Sequence, residues 1–327
     1  MADAFGGQDP LAVATRLQSS GRTGAAFAVI LDALRPDPCV RRLQEAALKL
    51  IAIAQDAHVA VFVRHWLETC RFGNLENALI ILADCMAEND DVQANYTIFG
   101  HLSIMALRLE KHDLALTLFS HCLSDQLPPP LSEDYVAVQY DDKAVCYDDD
   151  YLHKVSVVSF LAFLAKHATP PEPLDILDVP CGTGLIGPVL KPWARRLTGC
   201  DLSPGMAAHA RARDCYDEVI VGDMLTSLPV AAADLAISHG SLYYFRELEP
   251  VAAALAAALR PGGLFAFTDY PAPEGVMVTK SGIQRYCRSR PVVLNALEAH
   301  GFSEVASEMH LTFGLPCIYW IFRKTGA

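Results

Sequence analysis

From residue 174 onward the apolar positions keep changing period. Short apolar runs without helical spacing at 174–179, 196–201, 217–222, 234–239 and 263–269 read as buried strands. Segments at 185–193, 205–213, 247–260 and 291–300 read as helices between or after them. Two late apolar segments, 305–311 and 316–323, form a closing hairpin. Upstream, a helix over 151–167 places Leu152, Val155, Ser159, Phe163 and Leu164 on one face. Thr169-Pro170-Pro171-Glu172-Pro173 stops it. The Pro261-Gly262-Gly263 turn ends the helix before the last of the five strands. Strand and helix in alternation predict a mostly parallel sheet with helices on both faces.

Residues 1–127 read differently, with helical spacing throughout and almost no strand signal. Three segments share a small, large, small pattern at offsets 0, +4 and +7: Ala26, Ile30 and Ala33; Ala78, Leu82 and Cys85; Ala115, Phe119 and Cys122. That is one helix face, small where a neighbouring helix comes close. The pattern resembles the second helix of a tetratricopeptide repeat. Trp66 and Ser103 stand at the packing positions of the first helices. The units recur at 52 and 37 residues, so the array is degenerate, and an ordinary helical bundle is the alternative. Pro128-Pro129-Pro130 marks a stiff boundary. The division expected is 1–127 helical domain, 128–134 linker and 135–327 α/β domain.

Composition narrows the class. With 52% hydrophobic residues there is ample material for two cores. The longest apolar runs, such as Val251 to Leu259, are about half of what a membrane span needs. The first ten residues lack a basic segment followed by an apolar one, so no signal peptide is expected. Ten cysteines without a CxxC pair suggest reduced thiols and a cytoplasmic protein. No histidine pair has zinc-ligand spacing, and no metal is expected. The formal charge of −12 divides into −5 for residues 1–127 (15 acids, 10 bases) and −7 for the rest (23 and 16). No basic footprint for nucleic acid appears in either part.

The chemistry lies at the strand ends. The strand at 174–179 carries Asp178 and runs into Pro180-Cys181-Gly182-Thr183-Gly184, a tight turn opening a helix. The next strand ends at Asp201, 23 residues on, and the third at Asp223, after 22 more. Three strands ending in acids, one helix apart, line one crevice, where open α/β sheets hold nucleoside-like ligands.

From residue 174 the chain resembles class I S-adenosylmethionine-dependent methyltransferases. Asp178 to Gly184 is similar to their first motif, and Ala258 to Tyr270 to their motif after the fourth helix. Two Tyr-Asp pieces, Tyr140-Asp141-Asp142 and Tyr147-Asp148-Asp149-Asp150, have counterparts in bacterial methyltransferases with an N-terminal tetratricopeptide-like region. Leu242 to Phe245 and Arg285 to Arg288 do too. The resemblance implies a Rossmann-like, doubly wound, mostly parallel sheet with a C-terminal antiparallel hairpin, beside an all-α helical-repeat domain. It implies S-adenosylmethionine as cofactor and S-adenosylhomocysteine as product. Pro180 departs from the motif, replacing its first glycine and removing one N–H.

The same resemblance implies the roles. Gly182 and Gly184 permit the turn and close approach of the backbone, with Pro180 and Cys181 in the same loop. Cys181 reads as packing, since no base stands near it in sequence. Asp178 would meet the cofactor ammonium, directly or through water, and Asp201 the ribose hydroxyls. Leu202 and Met206 would flank the adenine, with Met206 equally readable as core. Asp223 and the Met224 backbone would meet the adenine amino group. Tyr140 and Tyr147 would close over cofactor or acceptor, unless their segment is a solvated acidic loop. His239, just past the fourth strand, is a candidate base or a backbone contact. Tyr243, Tyr244 and Tyr286 would shape the acceptor side. No NPPY-type motif is present.

Three functions compete. The first is methyl transfer to an O or N acceptor, on a protein or peptide recruited by the helical domain or on a small molecule. The second is an inactive cofactor-binding scaffold. The third is a dinucleotide oxidoreductase, for which Gly182, Gly184 and Gly187 supply a GxGxxG spacing. The segment from Glu133 to Asp150, with seven acids and one lysine, favours a cationic acceptor.

Overall fold

The computed structural model describes residues 9–22, single positions between 25 and 107, and 110–326 apart from 281–283 and 314. The chain divides into two compact units, 1–123 with 280–282, and 124–279 with 283–327.

In the first unit α1 (Pro10–Ser19) begins on proline, with the Asp9 carboxylate as its cap. The helix α2 (His112–Ser120) follows much later. Ala26 and Ile30 from the first patterned segment are fully buried, as are Ala115, Phe119 and Cys122 from the third. Ala33 is half-buried. The second patterned segment and Trp66 lie outside the described residues. Ser103 is buried, and its hydroxyl donates to the Gly100 carbonyl at 2.7 Å.

The second unit opens with α3 (Glu133–Lys143) and α4 (Tyr151–Ala168). Alternation then sets in: β1 (Leu174–Asp178), β2 (Ala194–Asp201), α5 (Pro204–Ala212), β3 (Glu218–Val221), β4 (Ala233–Ser238), α6 (Glu249–Ala258) and β5 (Leu259–Asp269). A short hairpin follows, β6 (Val276–Thr279) and β7 (Tyr286–Arg288). Then come α7 (Arg290–Glu298), β8 (Phe302–Thr312) and β9 (Leu315–Lys324). Seven strands form one sheet in the order β3-β2-β1-β4-β5-β9-β8. Strands β1 to β5 are parallel, and β9 inserts antiparallel between β5 and β8. The order reverses beside β1, so the carboxyl ends of β1, β2 and β4 flank the switch point where such sheets hold ligands. The last strand locks by cross-strand aromatic pairs: Trp320 lies opposite Phe267 and Phe322 opposite Phe265, all fully buried.

Several boundaries differ from the sequence reading. The 133–150 segment is helix α3 and a 3₁₀ turn at Tyr147–Asp149, not a loop; Ser132 caps the first by accepting from Tyr135 N–H. On α4, Leu152 and Val155 are exposed, at 46% and 42%. The buried stripe is Ser156, Phe160, Phe163 and Leu164, because the sheet-facing rings pack on Tyr319 and His310. The helix expected at 185–193 is one turn, Gly187–Leu190, then a 3₁₀ turn, since Pro188 and Pro192 leave room for little more. Helix α6 stops at Ala258. Residues 260–263 bulge out of β5, with Gly262 at φ +80°, and carry Arg260 to Asp234 (2.7 Å) and Asp175 (2.9 Å). The β6–β7 hairpin had no alternating pattern to announce it.

No helix among the described residues is long and apolar enough to cross a membrane. Truncating Phe267 to alanine removes a ring stacked on Phe265, Trp320 and Phe322. It is expected to cost about 3–5 kcal/mol, read as a lower denaturation midpoint with an unchanged m value.

Candidate functional site

The turn after β1 brings the strand-end acids together. Gly182 and Gly184 sit at φ +53° and +76°, in the left-handed region that favours glycine. That turn aims the Gly182 N–H at Asp201, whose Oδ2 accepts it at 2.7 Å, while Oδ1 accepts from Ser203 N–H at 2.9 Å. Asp178 accepts from the Tyr216 hydroxyl at 2.5 Å. Asp223 accepts from Leu225 N–H at 2.9 Å. Asp178 and Asp201 are 1% and 7% exposed, so their charged forms are poorly solvated. Burial pushes the Asp178 carboxyl up to about 7, against the Tyr216 bond and with repulsion from Asp201. Burial likewise raises Asp201 to about 6, against the two backbone N–H bonds. Two carboxyls raised this far mark a site short of positive charge.

These acids face a cavity of about 350 Å³. Asp178, Pro180, Cys181, Gly182 and Asp201 line it, with Leu202, Met206, Asp223 and Met224. Tyr140, Tyr147, Tyr244 and His239 line it too. Three of the expected residues are not on its wall. Gly184 faces the Tyr216 ring, and Tyr243 is 4% exposed among Tyr244, Tyr270 and Arg285. Tyr286 is also off the wall, buried and donating to the Pro128 carbonyl at 2.9 Å.

The doubled Tyr-Asp segment works as a strap with two latches. Asp141 accepts from the Ser203 hydroxyl and from Gly205 N–H (2.8 Å), at the start of α5. Those bonds hold its carboxyl below the usual carboxylate range. Asp148 accepts from the Thr183 hydroxyl at 2.6 Å and pairs with Arg213. Each tyrosine preceding a latch turns into the cavity. The Tyr140 hydroxyl lies 3.0 Å from that of Tyr244.

Four contributors were not identified from sequence. Tyr216 and Thr183 act through partners distant in the chain. His153 stacks on Tyr147 at 3.9 Å, and its Nδ1 lies 2.8 Å from the Tyr147 carbonyl oxygen. Phe313, at φ +50° in the β8–β9 turn, stands edge-on to His153 and His239. No local motif marks a residue that arrives from the far end of the sheet.

His239 completes the wall. Burial holds its pKa down to about 4, so the ring is neutral near pH 7. The Ser156 backbone hydrogen-bonds the ring, and Nε2 has no partner. The ring proton therefore sits on Nδ1, leaving Nε2 as a bare lone pair.

The donor set fits S-adenosylmethionine: glycine backbone beside two cation-seeking carboxyls, a third acid and apolar side chains from Leu202 and Met206. Residues 177–267 match a family model described as methyltransferase domain. Malonyl-(acyl-carrier protein) O-methyltransferase of Pectobacterium atrosepticum is 31% identical over 144 residues, covering 42% of this chain and 55% of that one. The chain thus spans about half the length of the curated relatives it matches. Among solved structures, 1,6-didemethyltoxoflavin-N1-methyltransferase of Burkholderia thailandensis superposes with a TM-score of 0.51. It is 22% identical, covering 62% of this chain and 95% of that one. The (4+2)-cyclase SpnF shares the fold with a TM-score of 0.51 at 16% identity, covering 61% and 99%. In fold and matched motifs the second unit is similar to class I S-adenosylmethionine-dependent methyltransferase domains.

Two outcomes follow. Asp201→Ala is expected to abolish S-adenosylhomocysteine binding in calorimetry while the circular dichroism melt stays cooperative; unchanged affinity would place the site elsewhere. Asp148→Asn gives up one charged latch and is expected to weaken the same binding about tenfold.

Proposed function

We propose that the protein transfers the methyl group of S-adenosylmethionine to an oxygen or nitrogen of a small, uncharged or cationic acceptor. The observation that carries this reading is one cavity lined both by three strand-end carboxyls and by the neutral, buried ring of His239. When bound, the cofactor supplies a methyl group already activated by its sulfonium. Asp178 and Asp201 would hold its cationic and ribose parts, and Asp223 with the Met224 backbone would hold the adenine, flanked by Leu202 and Met206. The strap residues Tyr140 and Tyr147 exclude water and orient the reacting partners, where much of the rate comes from. Tyr244 shapes the acceptor side, and Tyr243 supports it from behind. His239 Nε2 accepts the proton of an acceptor O–H or N–H as the new bond to carbon forms.

The charge pattern supports the acceptor class. Among the described residues on the cavity wall stand five carboxyls (Glu133, Asp178, Asp201, Asp223 and Glu247) and one guanidinium, Arg246, which lies 4.0 Å from Glu247. A free carboxylate acceptor meets little to neutralise it there. The helical residues 1–127, read as a tetratricopeptide-like array, offer a surface for a protein or peptide partner, and an acceptor carried on such a partner is the second reading.

Radiolabelled methyl transfer into a host extract, separated by size, tests both readings. Label in the small-molecule fraction, lost about a hundredfold in His239→Ala, is the expected result. Label confined to macromolecules would favour the recruited acceptor. No label at all, with cofactor bound, would leave a scaffold, and preference for a nicotinamide dinucleotide would turn the reading to hydride transfer.

A further inference from the structure

Tyr216 lies in the segment between α5 and β3, outside the cavity wall. The segment is pinned by its neighbour Asp217, which accepts from Leu197 N–H at 2.7 Å and pairs with Lys191. Its ring fills a slot cut by three glycines from separate elements. A Cβ on Gly184, Gly187 or Gly199 would come within 2.9, 2.6 or 3.2 Å of ring atoms. Gly187 and Gly199 have no positive φ, so backbone conformation does not demand glycine at either. The space they leave admits the ring. From that slot the hydroxyl reaches through to Asp178 Oδ2 at 2.5 Å.

We propose that Tyr216 is a positioning residue for cofactor binding: its hydroxyl holds Asp178 by Oδ2 and so presents Oδ1, ionised, to a cationic group of the cofactor. This rests on the cofactor reading above. The titratable groups around Asp178 are Tyr216 itself, Asp201 at the end of β2, Cys181 in the turn and Cys215 beside Tyr216. None of the groups that shift Asp178 is a cation. The phenol is thus the one side chain whose hydrogen bond favours the ionised form. No local motif announces this role, because Tyr216 lies 38 residues from the acid it holds.

Tyr216→Phe keeps the ring in its slot and deletes only the hydroxyl. Two readouts are taken beside wild type: the Asp178 carboxyl titration by carbon-13 NMR of the free protein, and S-adenosylhomocysteine affinity by calorimetry between about pH 6 and 8.5. The Asp178 midpoint is expected to rise by about one unit or more. Affinity is expected to fall about tenfold near pH 7 and to recover toward wild type at the alkaline end. Adding Asp178→Asn to Tyr216→Phe should then cost less than it costs alone, since the two act as a pair. The ligand amine titrates identically in each protein, so the difference reports the enzyme. An affinity equal to wild type at every pH overturns the proposal. So does a loss that is constant with pH and accompanied by a lower melting temperature, which is the mark of ring packing alone. A wild type that fails to bind while the NMR midpoint still shifts would instead remove the cofactor reading, and this role with it.

Discussion

The second unit is organised around carboxyls that its own cations do not neutralise. At the amino ends of β1 and β4, Asp175 and Asp234 are clamped by Arg195 and Arg260, and Asp175 is held below its usual range. At the carboxyl ends, Asp178 and Asp201 are buried with backbone N–H groups and a phenol as their hydrogen-bond partners, and both are raised. One end of the sheet is finished as structure. The other is left in deficit, and that deficit is what a ligand carrying an ammonium and a sulfonium offsets.

Much of the surrounding architecture serves that end. The left-handed glycines bend the chain so that an N–H points at Asp201. The three-glycine slot admits Tyr216 to Asp178. The latches Asp141 and Asp148 tie α3 and the turn after it to the loops that carry the acids, and so bring Tyr140 and Tyr147 over the cavity. The neutral His239 ring shares the lining of the same cavity.

The apolar runs were enough to read the order of strands and helices along the chain, because short continuous runs and 3.6-residue spacing leave different marks. The three acids were legible because each ends such a run. The contents of the site were less so. Leu152 and Val155 matched a helical stripe as well as Ser156 and Phe160 do, and only the rings of Tyr319 and His310 decide which face is inward. Tyr216 and Phe313 reach the site from distant segments through packing, which carries no local pattern. The helix at 133–143 and the turn after it were obscured by their many acids; the partners of Asp141 (Ser203 and Gly205) and of Asp148 (Thr183 and Arg213) all lie elsewhere in the chain.

The claim that a cationic cofactor resolves this charge deficit is tested most directly by counting protons. S-adenosylhomocysteine, which keeps the ammonium, and S-adenosylmethionine, which adds the sulfonium, would each be titrated calorimetrically near pH 6.5 in two buffers of different ionisation enthalpy. The account predicts proton release on binding, up to about one proton for S-adenosylmethionine, as Asp178 and Asp201 are driven to their charged forms. Heats that do not depend on the buffer, or that show proton uptake, would contradict it.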